Sequence, residues 1–512
     1  MTGPIPLACL MRAGGREIAL RLRPEKNCFC TCGRGFDSRH LHSSLFVDDN
    51  GRFASGRAAF AMPASGWDGA VESQSKNPYS RAFATDESTM LLTTSSTAAH
   101  ATRAPRADTA RLGSAHLRTA FQPVVSLDSG AVLGAEALLR ADVAGRAVPP
   151  LELLARAKAH GTLAELDLAA LTCAVVAAGA SGRGVLLVNV EPSTLVNRTA
   201  EVIAILERRE QGLHVVVEVT ERALAADPAG LLRATEALHM KGYPIAVDDV
   251  GTNPQSLALL EVIRPGVIKL DMSLLRDYAN PNSLHVAGAV AAYAEAVGAS
   301  VIAGGIETRE DLMRARLLGA SLGQGSWWGH PGPAWPEQVA ESPLRFCPPP
   351  HAAPRRVTDT PFSVISRHRA THVACGDMLV PLSLAVEASV ARSHLPAILL
   401  ATVQHVRDVP PSTRDRFARF AGELPVFGML GESITDLHIP GAHLADLLPG
   451  DPLCLEWNVV ALGAQGTVAL TARELPPTPG CERTYAFTTT HERHAVVEAA
   501  ATLIGRLGSR PD

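Results

Sequence analysis

At 512 residues the chain is too long for one average domain, and its apolar fraction of 46% can fill the cores of two or three folded units. A net charge of −4, with basic and acidic residues interspersed, gives no broad cationic face and argues against DNA or RNA as a partner. No window reaches the roughly 18 uninterrupted apolar residues of a membrane span; the best, "VAGAVAAYAEAVGASVIAGG", is broken by Glu295.

The opening "MTGPIPLACLMRAGG" has only a short apolar stretch and no convincing cleavage site, so a cytoplasmic protein is expected. Residues 1–110 are dominated by Ser, Arg, Ala and Gly without hydrophobic periodicity, and disorder is expected there. Within them, Cys28, Cys30 and Cys32 stand close together with His40 nearby, which raises a zinc site. The CxCxC spacing is tighter than the usual CxxC, and no second pair follows. The stretch "GFDSR" is also what the T-arm of a transfer RNA gene gives when read as codons. On that reading the first residues are an upstream extension and the native start is Met90. The cysteines farther on, Cys173, Cys347, Cys375, Cys454 and Cys481, are scattered singly, and reduced thiols are expected.

From about 115 to 340 short apolar runs alternate with helical patterns. The predicted strands are "FQPVVSL", "VLGAEALL", "VLLVNV", "HVVVEVTE", "PIAVDDV", "VIKLDM", "SVIAGG" and "SLGQGSW". Such alternation predicts a parallel sheet with helical crossovers, and the number of units fits a (β/α) barrel. In that architecture polar residues at the C-terminal ends of strands converge on one mouth. Here those ends carry Glu136, Asn189, Glu218, Asp248, Asp249, Lys269 and Asp271, with Glu307 and Gln324 from the last units. An isolated acid at a strand end is usually a solvated loop residue or a cap. Several strands in succession ending in Glu, Asn or Asp are a stronger signal. Carboxylates and an amide without His or Cys favour a hard ion such as Mg²⁺ or Mn²⁺, which suits phosphate chemistry.

The motifs that carry these residues resemble the EAL family of cyclic di-GMP phosphodiesterases. "FQPVVSLDSGAVLGAEALLR" is similar to the family's opening, with Glu136-Ala137-Leu138 as its naming motif. "VNVEPSTL", "VEVTER", "VDDVGT", "IKLD", "AGGIET" and "GQGSWWGHP" follow in the family's order. The resemblance implies an EAL-type (β/α)8 TIM-like barrel over 115–340 that binds cyclic di-GMP and hydrolyses it to the linear form. It further implies that Glu136, Asn189, Glu218 and Asp248 hold one Mg²⁺ or Mn²⁺ ion and that Asp249 helps hold a second. Arg140 would grip a substrate phosphate, Lys269 would orient the attacking water, and Gln122 and Gln324 would line the site. Glu221 would anchor the loop after Asp249, and Glu307, the surviving acid of the "AGGIET" motif, would be a catalytic residue with Lys269.

Two departures weaken the expectation of hydrolysis. Gly304 stands where the family has the first Glu of Ala-Glu-Gly-Val-Glu, and glycine can neither accept a proton nor bind a cation. Loss of a positioned general base typically costs about 10²–10⁴ in rate. After Asp249, "VGTNPQS" replaces the family's Phe-Gly-Thr-Gly-Tyr-Ser-Ser, and Pro254 restricts Asn253 toward extended angles. Binding and turnover rest on different interactions, so a degenerate domain that still binds cyclic di-GMP is the favoured reading. An active phosphodiesterase and a scaffold without nucleotide are the alternatives. The family commonly dimerises, so a homodimer partner and other signalling proteins are expected partners.

Residues 341–361 are proline-dense and read as a linker. A second unit follows at 362–508, with strands at "PAILLATV", "LPVFGML", "PLCLEWNVVALG", "GTVALTAR" and "RTYAFTTT", and a closing helix at "RHAVVEAAATLIGRLG". It resembles the DICT sensory domain and is expected to be a mixed α/β sensory module. Trp457 is read as core or pocket wall, and His405, His491 and His494 as surface or capping residues.

Overall fold

The computed structural model describes residues 9–13, 16–20 and 115–507, apart from 144, 180–182, 222, 252–253, 338, 341–357, 392–396 and 464–465. Near the start, β1 (Cys9–Ala13) pairs antiparallel with β2 (Arg16–Leu20) as a short hairpin. The Cys28, Cys30, Cys32 and His40 cluster, the remainder of the region expected to be disordered, Asn253 and most of the proline-dense stretch lie outside the described residues.

Each of the eight predicted apolar runs between 121 and 327 forms a strand. β3 (Ala115–Ser126) and β4 (Val132–Val143) pair antiparallel, and a three-residue strand, β5 (Arg146–Val148), adds to the outer edge of β4. From β4 the sheet runs in parallel through β6 (Gly184–Asn189), β7 (Leu213–Thr220), β8 (Ile245–Val250), β9 (Val267–Leu270), β10 (Ser300–Ala303) and β11 (Leu322–Gly323). β11 then pairs antiparallel with β3, so eight strands close into a barrel with one inverted member. The strands read as nearly continuous Val, Ile and Leu because both of their faces are buried. Val185, Leu187, Val216, Ala246, Val267 and Ile302 fill the interior of the barrel. Their neighbours Leu186, Val188, Val215, Val217, Val247 and Ile268 face the surrounding helices.

Between β5 and β6 the chain forms two helices, Pro150–Ala159 and Leu163–Gly179, separated where Gly161 adopts a left-handed backbone (φ 68°).

Past the proline-dense stretch lies a seven-stranded mixed sheet. It contains β12 (His372–Cys375), β13 (Ala397–His405), β14 (Val426–Glu432), β15 (His443–Asp446), β16 (Glu456–Gly463), β17 (Thr467–Leu475) and β18 (Thr484–Thr490), in the order β12-β18-β17-β16-β13-β14-β15. One face packs on helices Gly376–Ala391 and Pro411–Glu423 through Val386, Phe417, Phe420, Phe427 and Met429. Its other face carries Ile398, Leu400, Val460, Leu462 and Ala469. These join Val496 and Ala500 of helix Arg493–Ile504 and Leu257, Leu259 and Leu260 of the barrel in one continuous hydrophobic core. The segment Pro254–Leu259, which follows the end of β8, contacts both β13 and β16. Across this seam Arg493 forms an ion pair with Glu261, and its guanidinium also donates to the Gly463 carbonyl.

The expectation of separate reduced thiols fails for one pair. Cys375, at the end of β12, and Cys481, in the turn before β18, are joined as a disulfide with Cα atoms 5.6 Å apart. Strand pairing between β12 and β18 unites residues 106 positions apart, a proximity that linear spacing does not reveal. Cys173 and Cys454 are free thiols, as expected. His405 caps the turn after β13, its Nδ1 accepting the Arg407 N–H, and Trp457 packs edge-on against Tyr485. Among the described residues no helix is long and apolar enough to cross a membrane.

Candidate functional site

The parallel strands deliver their terminal polar residues to one rim of the barrel. Register explains which residues meet: Gln122 lies opposite Glu136, Asn189 beside Glu218, and Thr220 beside Asp248. A bulge at the end of β8, between Val247 and Val250, sets the direction of the two aspartates. Asp249 there takes a left-handed backbone (φ 58°), and its N–H donates to Asp248 Oδ1 at 2.8 Å. This leaves Asp248 half-buried against the cluster and Asp249 exposed.

At the centre stands the buried Lys269 ammonium. Its Nζ lies 3.2 Å from Glu136 Oε2, 3.0 Å from Glu218 Oε1 and 3.1 Å from Asp248 Oδ2. The three carboxylates place one oxygen each within 4.8 Å of one another. Around them, Asn189 Nδ2 donates to Glu136 Oε1 at 2.8 Å, and Gln324 Nε2 donates to Glu136 Oε2 at 2.7 Å and to Gln122 Oε1 at 3.2 Å. Gln324 is fixed by its main chain, whose N–H donates to Ala303 and whose carbonyl accepts from Ile306.

The electrostatics follow from burial and from one cation serving three acids. Burial, reinforced by the charge of Glu136, pushes the Glu218 carboxyl well above the usual carboxylate range. Burial raises Glu136 too, but Lys269 and the hydrogen bonds from Gln324 and Asn189 outweigh it and hold that carboxyl below its ordinary value. Burial works against the Lys269 charge, yet Glu218, Glu136 and Asp248 together keep the ammonium well above the normal lysine range.

The donor set fits a hard divalent ion. Although Glu218 Oε1 is near Lys269, neither Glu218 oxygen accepts a well-formed hydrogen bond, and both are inaccessible to solvent. The Lys269 ammonium offsets part of the cost of burying Glu218, and a divalent ion among the three carboxylates would offset more of it. All the donors are oxygens, as Mg²⁺ and Mn²⁺ prefer.

The other predicted residues are placed as follows. Arg140 is half-buried on β4, and its guanidinium donates to the Leu139 carbonyl at 2.8 Å. Glu221 is buried, and its carboxylate accepts the Gly251 N–H at 3.2 Å, tying the turn after the bulge to the end of β7. Glu307 is exposed and outside the carboxylate group; its N–H, like that of Thr308, is held by Asp311 at the start of helix Arg309–Leu317. Gly304 follows β10, its N–H donating to the Leu270 carbonyl at 3.1 Å.

One contributor went unread in the sequence. Asp167, buried within helix Leu163–Gly179, accepts the Glu191 N–H at 2.9 Å and so braces the turn that follows Asn189. Burial pushes its carboxyl up to about 7. An acid among the apolar residues of "LDLAALTCAVV" is the signal that could have found it.

Residues 106–331 match the model of the EAL domain. The cyclic di-GMP phosphodiesterase RocR of Pseudomonas aeruginosa is 32% identical over 222 residues, covering 42% of this chain and 57% of its own length. The cyclic di-GMP phosphodiesterase PA2567 of the same organism is 31% identical over 234 residues, covering 43% of this chain and 39% of its own. The chain therefore spans less than two thirds of either relative. The solved manganese and cyclic di-GMP complex of Klebsiella pneumoniae BlrP1 at pH 6 aligns at 27% identity with a TM-score of 0.38, covering 43% of this chain and 57% of that one.

Proposed function

From the EAL domain that residues 106–331 carry, we infer that this chain is a cyclic di-GMP signalling protein whose barrel binds the dinucleotide with weak or no hydrolysis. The observation that carries this reading is the contrast between three converging carboxylates and a position beside them without a side chain. Glu136, Glu218 and Asp248 converge within 4.8 Å, while Gly304 offers no side chain at the end of β10.

On this reading Glu136, Asn189, Glu218 and Asp248 hold Mg²⁺ or Mn²⁺, with Asp249 at the rim toward a second ion. Such an ion, when bound, polarises a phosphoryl oxygen and lowers the pKa of a bound water. Lys269 holds the carboxylates in place and orients water, Arg140 turns toward a phosphate, and Gln122 and Gln324 line the cleft. Glu221 keeps the turn after Asp249 in register. Among the described residues Glu307, the surviving acid of the motif, is exposed and stands outside the carboxylate group, so on this reading it does not replace the missing acid. The three converging carboxylates favour an active phosphodiesterase as the second reading.

The C-terminal sheet, a mixed α/β unit, is read as a DICT-like sensory module joined to the barrel through the shared core. The proposed domains are thus the barrel at 115–340, the linker at 341–361 and the sensory module at 362–508.

The test is calorimetric titration of cyclic di-GMP into the full chain with Mg²⁺ and then Mn²⁺, with product followed chromatographically in the same samples. Tight binding without linear dinucleotide supports the receptor. Metal-dependent turnover at an enzyme's rate refutes it.

A further inference from the structure

The disulfide between Cys375 and Cys481 stands at one edge of the C-terminal sheet. β12 is the outermost strand there, joined to β18 through four residue pairs, from His372 with Phe487 to Cys375 with Thr484. Among the described residues no strand pairs with its other side. His372 and Val373 are exposed, so the first half of the strand adds little buried surface. The bridge is its covalent tie, linking its last residue to the turn before β18. Both cysteines are half-buried, not enclosed, which leaves the bridge open to an attacking thiolate. Cys375 also immediately precedes helix Gly376–Ala391, which is 16 residues long. A thiolate at a helix N-terminus is stabilised by the aligned peptide dipoles. The free thiols differ: burial raises that of Cys173, and burial reinforced by the neighbouring Glu432 pushes that of Cys454 up to about 11. Neither presents a ready thiolate.

We propose that Cys375 and Cys481 form a reversible thiol–disulfide exchange site that clamps or frees β12. A thiolate of a low-molecular-weight dithiol attacks Cys481 Sγ. The bond between the two protein sulfurs breaks, its electron pair leaves on Cys375 Sγ, and a mixed disulfide forms on Cys481. The second thiol of the reductant then closes its own disulfide and releases Cys481. Two electrons pass from the dithiol to the protein, and the two thiol protons of the reductant end on Cys375 and Cys481. Departure of Cys375 at the helix N-terminus favours this direction of attack, because a stabilised thiolate is the faster leaving group. A low-molecular-weight disulfide reverses the sequence and restores the clamp. With the bridge cut, β12 keeps its four-residue pairing and the bond from the Gly376 N–H to the Arg483 carbonyl at 2.9 Å. The start of the helix, which packs through Leu379 on Tyr485 of β18, loses its covalent tie at the same time.

The test uses the full chain, whose two redox states need no substitution. Differential alkylation read by peptide mass spectrometry is expected to find Cys375 joined to Cys481 in the oxidised protein. Dithiothreitol should open the bridge without denaturant, and oxidised glutathione should close it again. Hydrogen exchange at 372–379 and 478–484 should quicken at least about tenfold on reduction, because an edge strand without its tie opens locally. In the reduced protein Cys375 should react with iodoacetamide faster than Cys173 or Cys454. Cys375→Ser should exchange like the reduced parent whether or not reductant is present. Free thiols at both positions after oxidation overturn the proposal, as does a bridge that dithiothreitol opens only once denaturant has unfolded the chain. Identical hydrogen exchange in the two redox states overturns it too, since the bridge would then control nothing. A Cys375 thiol no faster than the other two overturns its part as the leaving group.

Discussion

Replacing Gly304 by Glu tests the central functional reading directly. Gly304 is open to this change for two reasons. Its backbone is not left-handed, and a Cβ built there meets only the Leu270 carbonyl oxygen at 3.5 Å, an ordinary contact. Its neighbours differ: a Cβ on Gly305 (φ 68°) would stand 1.9 Å from Met272 Cε, and one on Gly325 would stand 2.0 Å from the Ile306 carbonyl oxygen. Gly304→Glu is therefore expected to fold. Loss of backbone freedom in the unfolded chain alone stabilises such a variant by about 0.4–1 kcal/mol. Strand β10 runs beside β9 with Ile302 paired to Lys269, so the new carboxylate enters at the rim occupied by Lys269 and its acids. A positioned general base contributes about 10²–10⁴ in rate. Hydrolysis of cyclic di-GMP, read as linear dinucleotide by chromatography in Mn²⁺ and in Mg²⁺, is expected to rise by that factor over the parent chain. Gly305→Glu serves as the control and should unfold at lower temperature. A folded Gly304→Glu protein that binds metal and dinucleotide yet gains no hydrolysis would refute the reasoning, as would a parent chain already turning over rapidly.

Three further outcomes follow from the geometry. Lys269→Met strips the cation from three carboxylates at 3.0–3.2 Å and should cost about 3–5 kcal/mol in denaturant melts, with added Mn²⁺ recovering more stability in the variant than in the parent. Glu456→Ala removes the buried acceptor of Arg473, Thr360 Oγ1 and the Phe362 N–H, so helix Pro361–Ser366 should lose hydrogen-exchange protection and stability should fall by about 3 kcal/mol. Asp167, raised by burial from 3.8 to about 7, binds its proton more tightly in the folded chain. Its contribution is full below the unfolded pKa and is lost as pH rises through about 7, so Asp167→Asn should flatten the decline of the denaturation midpoint across that window.

Much of the barrel was legible because strands buried on both faces leave unbroken apolar runs, and "VLLVNV" or "HVVVEVTE" admits little else. In the C-terminal sheet the strands that escaped notice are β12 and β15, each four residues long at an edge. "HVAC" has two exposed residues and "HLAD" ends in an exposed acid, so neither shows a buried periodicity. The acids at the strand ends were visible singly. Their closure around Lys269 was not, because it depends on barrel curvature and on the bulge that turns Asp248 inward and Asp249 out. The disulfide was hidden by a sequence separation of 106 positions. The seam between the units was hidden too, since Leu257 and Leu260 read like any residues of an amphipathic turn.

That seam changes how the molecule can respond to a signal. Were the two units joined only by the stretch 341–357, a perturbation of one would reach the other as a change in local concentration and orientation. Here Leu257 and Leu260, a few residues beyond the acidic end of β8, belong to the same packed interior as Ile398, Leu400 and Val460. Close-packed interiors transmit displacement because they have little free volume to absorb it. A shift of β13 or β16 is therefore felt at the Asp248 turn as mechanical strain, and an excised barrel would present the underside of that joint to water.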